Sequence, residues 1–199
     1  INNLGVIVGG ARRRAVVING DTPTNLPLPT GYDFSDGYAI SDKNWVGGQV
    51  SRDGYFTQPA VWDKYGNVKV FPNLGSGNFG ALLGVNNRGR GVGWSFVNCN
   101  QRAVSANPST SALKDLGTLG GFVSVAYGIN DSNVTVGASD DSFGQRQAFI
   151  YKNGRMRQLP RAAGMVQAEA YGINYNGVIV GAQWDASGGI HATMWMPVW

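Results

Sequence analysis

The sequence predicts an all-β fold, a β-propeller of about five four-stranded blades with the first and last incomplete. Three observations carry this expectation. Gly supplies 30 of 199 residues, about twice ordinary usage, and the chain holds 6 Trp, 8 Tyr and 8 Phe. Gly and Asn tolerate the left-handed backbone of tight turns, so this composition suits many short strands joined by many turns. No segment carries an apolar stripe of 3.6-residue period and helical length. Finally, the chain repeats itself with a period near 44 residues, the length of a four-stranded blade.

The repeat is read from four marks. Val-Gly recurs at Val8-Gly9, Val46-Gly47, Val92-Gly93, Val136-Gly137 and Val180-Gly181, at spacings of 38, 46, 44 and 44. Seven residues before most of these stands an Ile-Asn-like pair: Ile1-Asn2, Ile40-Ser41, Val85-Asn86, Ile129-Asn130 and Ile173-Asn174. A third mark follows at Arg14-Ala15-Val16, Gln58-Pro59-Ala60, Arg102-Ala103-Val104, Gln147-Ala148-Phe149 and His191-Ala192-Thr193. A fourth lies at Leu26-Pro27, Phe71-Pro72, Leu116-Gly117 and Leu159-Pro160. Together they define one repeat domain over 1–199, with units 1–31, 32–75, 76–120, 121–164 and 165–199.

Each element of a unit has its own reason. The first strand alternates, as in Val123–Ile129, and closes on an Asn-x-x-Gly turn such as Asn86 to Gly89 or Asn174 to Gly177. The second strand is the Val178–Gly181 type, whose internal Gly suits close backbone approach near a crowded centre. The third is the Ala148–Tyr151 type. Asn19-Gly20, Tyr65-Gly66 and Asn153-Gly154 turn it into the fourth, such as Val68–Phe71. The first unit lacks most of its first strand and the last lacks a fourth, giving eighteen strands rather than twenty. The deficient ends and the start at Ile1 fit a processed chain, an array cut from a longer protein, or a short last blade. A β-solenoid stack is the alternative architecture, disfavoured because adjacent hairpin turns favour antiparallel pairing.

Composition also narrows the chemistry. Eleven Asp and a single Glu leave little for a paired-carboxylate site. The lone Cys99 excludes an internal disulfide and a Cys-cluster zinc site, and the lone His191 excludes a multi-His metal site. No apolar run reaches the length of a membrane-spanning helix. Net charge is +4, and the only basic run, Arg12-Arg13-Arg14, reads as a solvated loop and strand edge rather than a nucleic-acid surface. His191, Cys99 and Glu169 read as structural positions, and Asp140-Asp141-Ser142 lacks the spacing of a calcium loop. The expectation is a non-enzymatic chain with no catalytic residue, no metal and no cofactor.

Asp115-Leu116-Gly117-Thr118-Leu119-Gly120-Gly121, then Tyr127-Gly128-Ile129-Asn130, then Val136-Gly137, resembles the HAF-type repeat of bacterial extracellular proteins. That repeat carries the same Asp-Leu-Gly-Thr-Leu-Gly-Gly text and a His-Ala-Phe triplet followed by Trp. The resemblance spans all five units, is strongest in the third and fourth, and is eroded in the first. Only His191 keeps the triplet's His and only Phe149 its Phe, while Trp62 and Trp195 keep the Trp. The resemblance implies an extracellular, secreted or cell-envelope setting and a propeller-like repeat, and it implies no reaction.

Candidate binding residues fall in the loops between second and third strands, which differ from unit to unit. They are Asp53, Tyr55 and Phe56 in the second unit, Asp140, Asp141 and Phe143 in the fourth, and Trp184 and Asp185 in the fifth. Each loop sets an aromatic beside Asp and Gly. An aromatic ring covers the apolar face of a sugar while a carboxylate accepts from its hydroxyls, and loops on a rigid scaffold are where binding residues collect. The expected partner is therefore a glycan or another cell-surface polymer. The competing reading of these aromatics is a cap on the apolar layer between blades. The alternative function is a structural or assembly module of a larger extracellular or phage-tail protein, because incomplete blades expose edges that invite a homo-oligomer or a parent-protein domain.

Overall fold

The computed structural model describes residues 1–197; Val198 and Trp199, the end of the last unit, lie outside the described residues. Eighteen strands run in order: β1 (Ile7–Ala11), β2 (Arg14–Asn19), β3 (Thr22–Asn25), β4 (Phe34–Ile40), β5 (Val46–Ser51), β6 (Thr57–Trp62), β7 (Val68–Val70), β8 (Gly80–Val85), β9 (Gly91–Val97), β10 (Asn100–Ala106), β11 (Leu113–Gly117), β12 (Gly120–Ile129), β13 (Thr135–Asp141), β14 (Arg146–Lys152), β15 (Arg155–Gln158), β16 (Met165–Ile173), β17 (Ile179–Asp185) and β18 (Ile190–Trp195). They form five sheets, β1–β3, β4–β7, β8–β11, β12–β15 and β16–β18, each with its strands in sequence order. Every ladder between named strands is antiparallel and stays within one sheet, which removes the solenoid alternative. The fold is a β-propeller array in which, among the described residues, the first and fifth sheets have three strands each and the others four.

The blades stack face to face through period-2 alternation. Val46, Val50, Ala60 and Trp62 of the second blade are fully or almost fully buried against Ala15, Val8 and Val17 of the first. Val92, Ala103 and Leu116 of the third meet Ala126, Ile129 and Phe149 of the fourth. Val134, Val136, Ala148, Ile150 and Leu159 of the fourth meet Ala168, Ala170, Ile179 and Trp195 of the fifth. In each case the inner strand of one blade covers the second and third strands of the blade before it.

The inner strands β4, β8, β12 and β16 touch one another at the centre of the fan, and each carries a bulge at the same place. The bulge leaves Tyr38, Leu83, Tyr127 and Tyr171 without a ladder partner, re-aiming one side chain per blade. Neighbouring backbones come so close here that a Cβ on Gly84 would lie 2.8 Å from the Tyr127 carbonyl oxygen. The second-strand glycines have a related cause. A Cβ on Gly93, Gly137 or Gly181 would collide with the carbonyl of Ala81, Val125 or Glu169 on the adjacent inner strand. The same collision, with the Asp36 carbonyl, marks Gly48. Gly48 pairs with Ala60 as Gly137 pairs with Phe149 and Gly9 with Val16. The Val46-Gly47 mark is therefore one residue out of register, because Gly47-Gly48 offers two glycines and only backbone contact distinguishes them. The first interval is short because Arg12 and Arg13 alone turn β1 into β2, both with positive φ, where the second blade spends five residues between β5 and β6.

The turns that close the first strands sit together at one end, three of them Asn-x-x-Gly, one Ser41 to Asn44 and one Asn130 to Asn133, and all five line a shallow depression of about 300 Å³. Each turn is closed by its first side chain, as when Asn130 Oδ1 accepts from the Val134 and Ser132 amides, or Ser41 Oγ from the Trp45 amide. In three of the turns the same side chain latches to the next blade. Asn2 Nδ2 donates to the Ser41 carbonyl at 3.0 Å, Asn86 Nδ2 to the Asn130 carbonyl at 3.1 Å and Asn130 Nδ2 to the Asn174 carbonyl at 3.2 Å. A second latch lies further out: Trp62 Nε1 donates to the Pro27 carbonyl at 2.9 Å and Trp195 Nε1 to the Pro160 carbonyl at 2.7 Å. Tyr151, at the equivalent register, is half-buried and packs against the third-blade cluster. Ala106 is fully buried, and the outer half of its blade is irregular, with a register slip between Ala103 and Val104. Pro108 lies just beyond β10, as its missing N–H requires.

Candidate functional site

The side chains that sequence singles out fall on three separate hairpins: Asp53, Tyr55, Phe56 and Phe143 lie in the loops, whereas Asp140 and Asp141 end β13 and Trp184 and Asp185 end β17, and most of their carboxylates are used within the hairpins. Asp53 Oδ1 accepts from the Tyr55 and Phe56 amides at 2.8 and 3.0 Å and from the Ser51 hydroxyl at 3.1 Å. Asp141 Oδ1 accepts from the Phe143 and Gln145 amides, and its Oδ2 from Gln147 Nε2 at 2.9 Å. Asp185 accepts from the Ser187 amide and hydroxyl, from the Gly189 amide, and from His191 Nε2 at 2.9 Å. Asp140 faces Arg146 at 3.5 Å. The contacts at Asp53, Asp141 and Asp185 hold those three carboxyls below their ordinary range. For Asp53 the Tyr55 and Phe56 amides are the main cause, and for Asp185 the His191 and Ser187 hydrogen bonds. At Asp141 desolvation opposes the shift, and the Gln145 and Phe143 amides with the Gln147 side chain outweigh it. The three turn aspartates thus cap turns. Tyr55 and Phe143 project into solvent, 78% and 88% exposed, and Trp184 is half-buried.

One candidate, Phe56, joins a larger group. Its ring lies 5.8 Å from Phe79, Phe79 lies 6.0 Å from Phe96, and Phe96 lies 5.5 Å from Trp94. The last two contacts are edge-to-face, the arrangement favoured by the ring quadrupole. This run crosses from the second blade to the third. Phe56 ends the β5–β6 loop, Phe79 ends the β7–β8 connection, and Trp94 and Phe96 stand on β9. The connection is firmly held. The Thr57 amide donates to the Asn78 carbonyl, Asn73 Nδ2 to the Thr57 carbonyl, the Leu74 amide to Ser95 Oγ, and the Phe96 amide to the Phe79 carbonyl. Gly77 is required by closeness, since a Cβ there would collide with the Phe96 carbonyl.

Two hollows flank this run. One, of about 430 Å³, is lined by Arg52, Asp53, Phe56, Gln58, Asn73 and the 75–78 segment. The other, of about 360 Å³, is lined by the 76–79 segment, Phe96, Asn98 and Cys99. Residues 76–78 border both, and Phe79, 38% exposed, belongs to the second. Polar groups aimed here are not consumed by the fold. Gln58 accepts from the Tyr32 hydroxyl at 2.6 Å, which leaves its Nε2 unpaired, and the carboxamides of Asn78 and Asn98 have no partner among the described residues. The Arg52 guanidinium stacks 4.9 Å above the Tyr32 ring with its N–H groups open. Of the residues around these hollows, sequence reading singles out Phe56 and Asp53 and not Phe79, Trp94, Phe96, Gln58 or Asn78. They come from two repeat units, and no single loop carries the pattern.

Elsewhere, Glu169 bonds Arg146 Nε at 2.8 Å between the fourth and fifth blades, with Tyr127 and Tyr171 stacked edge-to-face beside it. Cys99 is exposed at the left-handed turn between β9 and β10. Among the described residues no group of three His, Cys, Asp or Glu could hold a metal ion, and no helix is long and apolar enough to cross a membrane.

No family model and no curated protein matches the chain. Among solved structures, TolB from Acinetobacter baumannii overlays with a TM-score of 0.61 at 14% identity, over 95% of this chain and 48% of that one. A gluconolactonase from Xanthomonas campestris overlays at 0.47 and 12% identity, over 93% of this chain and 69% of that one. The SapL1 lectin in complex with alpha methyl fucoside overlays at 0.47 and 10% identity, over 99% and 80%. The chain spans about half the length of TolB, and at this identity the likeness is one of fold: a β-propeller array.

Proposed function

We propose that this chain is a non-enzymatic glycan-binding propeller module, and that the cleft between its second and third blades is the binding site. The observation that carries the reading is the run Phe56–Phe79–Phe96–Trp94 bordered by polar groups that the fold leaves unpaired. A pyranose offers an apolar C–H face to a ring and hydroxyls to amides and a guanidinium, and this cleft supplies both along a strip rather than at one point. Two hollows along one aromatic run suit a linear oligosaccharide better than a single sugar. An extracellular or cell-envelope location accords with this reading and with the resemblance to the HAF-type repeat.

A glycan array tests it. The unaltered chain is expected to retain a set of neutral glycans. Phe79→Ala, at a partly exposed ring, should lose them by tenfold or more in affinity, about 1.4 kcal/mol, with the fold intact by circular dichroism. Trp184→Ala and Tyr55→Ala, which remove rings outside the run, should bind as the parent does. A broad array without a hit, or hits lost only in Trp184→Ala, would overturn the assignment, and the first result would leave a purely structural module.

A further inference from the structure

The two ends of the array are incomplete in complementary ways. In the fourth blade, Val136 and Ala148 are fully buried and Ile150 is 7% exposed, because β16 lies across them. Their counterparts 44 residues on are bare: Val180 is 51% exposed, Met194 61%, and Ala192 is also exposed. At the other end, β1 is paired on one side only, whereas β5, β9, β13 and β17 are each paired on both. Gly9 shows the same vacancy in atomic terms. A Cβ on Gly48, Gly93, Gly137 or Gly181 strikes an inner-strand carbonyl, while a Cβ on Gly9 meets nothing within 4 Å. The Asn latch is open too. Asn174 Nδ2 has no acceptor among the described residues, though the turns of Asn2 and Asn174 line the same depression.

We propose that an extended peptide strand with this repeat's inner-strand pattern adds to the free edge of β1 and is received on the bare face of β17 and β18. The occupant is defined by the established interfaces. Every inner strand present pairs antiparallel with the second strand of its own blade and lays small residues on the blade before it, as Ala168 and Ala170 do on Val136, Ala148 and Ile150. The contacts available at the vacant position are of that kind. They are backbone groups along β1, a glycine that admits a carbonyl, and an aliphatic face. In two of the existing interfaces an inner-strand serine also accepts from the preceding third strand, Ser35 Oγ from the Ala15 amide and Ser124 Oγ from the Ala103 amide, both at 2.9 Å. Ala192 is the fifth-blade counterpart of those alanines. Strand addition of this kind draws affinity from main-chain hydrogen bonds and specificity from alternate side chains. This inference is independent of the glycan site.

The test uses a fluorescein-labelled synthetic peptide copying Gly121–Asn130, added to the full chain and followed by fluorescence anisotropy and thermal melting. Saturable one-to-one binding and a raised melting temperature are expected, with a scrambled peptide inert. Gly9→Ala should leave the free chain's melting temperature unchanged, because its Cβ enters open space, and weaken peptide binding at least tenfold, because that Cβ occupies the place of the incoming carbonyl. Met194→Lys, at an exposed position, should also weaken binding while leaving the free chain folded. No binding at millimolar peptide, equal binding of the scrambled peptide, or unaltered binding to Gly9→Ala would overturn the proposal. So would a dimer in light scattering that Met194→Lys dissociates, since the face would then belong to a second copy.

Discussion

Replacing Trp62 by alanine removes the largest fully buried side chain of the second blade. The ring has no solvent exposure and is packed among Ala15, Val46, Val50 and Ala60, with partly buried residues of both blades around it. A truncation of this size costs about 3–5 kcal/mol. The indole also donates to the Pro27 carbonyl at 2.9 Å, and losing that donor strands an acceptor at about 1–3 kcal/mol unless water enters. The two effects share one relaxing site and overlap. A loss of about 4–6 kcal/mol follows, a large part of the roughly 5–15 kcal/mol that holds a domain. In a chain of this length each kcal/mol moves the melting temperature by about 2–4 °C. Differential scanning calorimetry should therefore show Trp62→Ala melting about 10–20 °C below the parent. Trp62→Phe keeps most of the packing and loses only the donor, so it should fall by about a third of that. A drop of under about 2 °C in Trp62→Ala would mean that the third-strand register does not bury this ring, and the blade–blade interfaces would have to be redrawn.

Further outcomes follow from the same contacts. Gly137→Ala should destabilise by about 2 kcal/mol or more, since its Cβ meets the Val125 carbonyl and backbone must move, whereas Gly9→Ala at the equivalent register should stay within about 0.5 kcal/mol; urea melts of the two compare them directly. The carboxyls of Asp53, Asp141 and Asp185 are all held low in the folded chain, so their stabilising contribution is complete above the ordinary Asp pKa of about 3.9 and is lost as pH falls through their lower folded values. The melting temperature should be level with respect to these groups from about pH 5 to 7 and decline below about pH 4, and Asp141→Asn should make that acid decline shallower. A melting temperature that rises on acidification through that range would refute the turn-capping role.

What the sequence determined by itself was local and periodic. The 44-residue spacing, the alternation within Val123–Ile129 and the turn residues from Asn86 to Gly89 each act within a few residues of chain, so the strands and their hairpin order are legible without coordinates. The count of eighteen strands among the described residues is legible for the same reason. Tertiary structure decided three other matters. It chose Gly48 over Gly47, because both fit the text and only one backbone face meets the Asp36 carbonyl. It assigned Asp53, Asp141 and Asp185 to turn caps, because a carboxylate that binds a ligand and one that binds its own loop are the same residue in the same kind of sequence. And it assembled the aromatic run from Phe56, Phe79, Phe96 and Trp94, which lie on two repeat units and meet only when the second and third blades pack side by side. Periodicity reports which residues are equivalent; packing alone reports which residues touch.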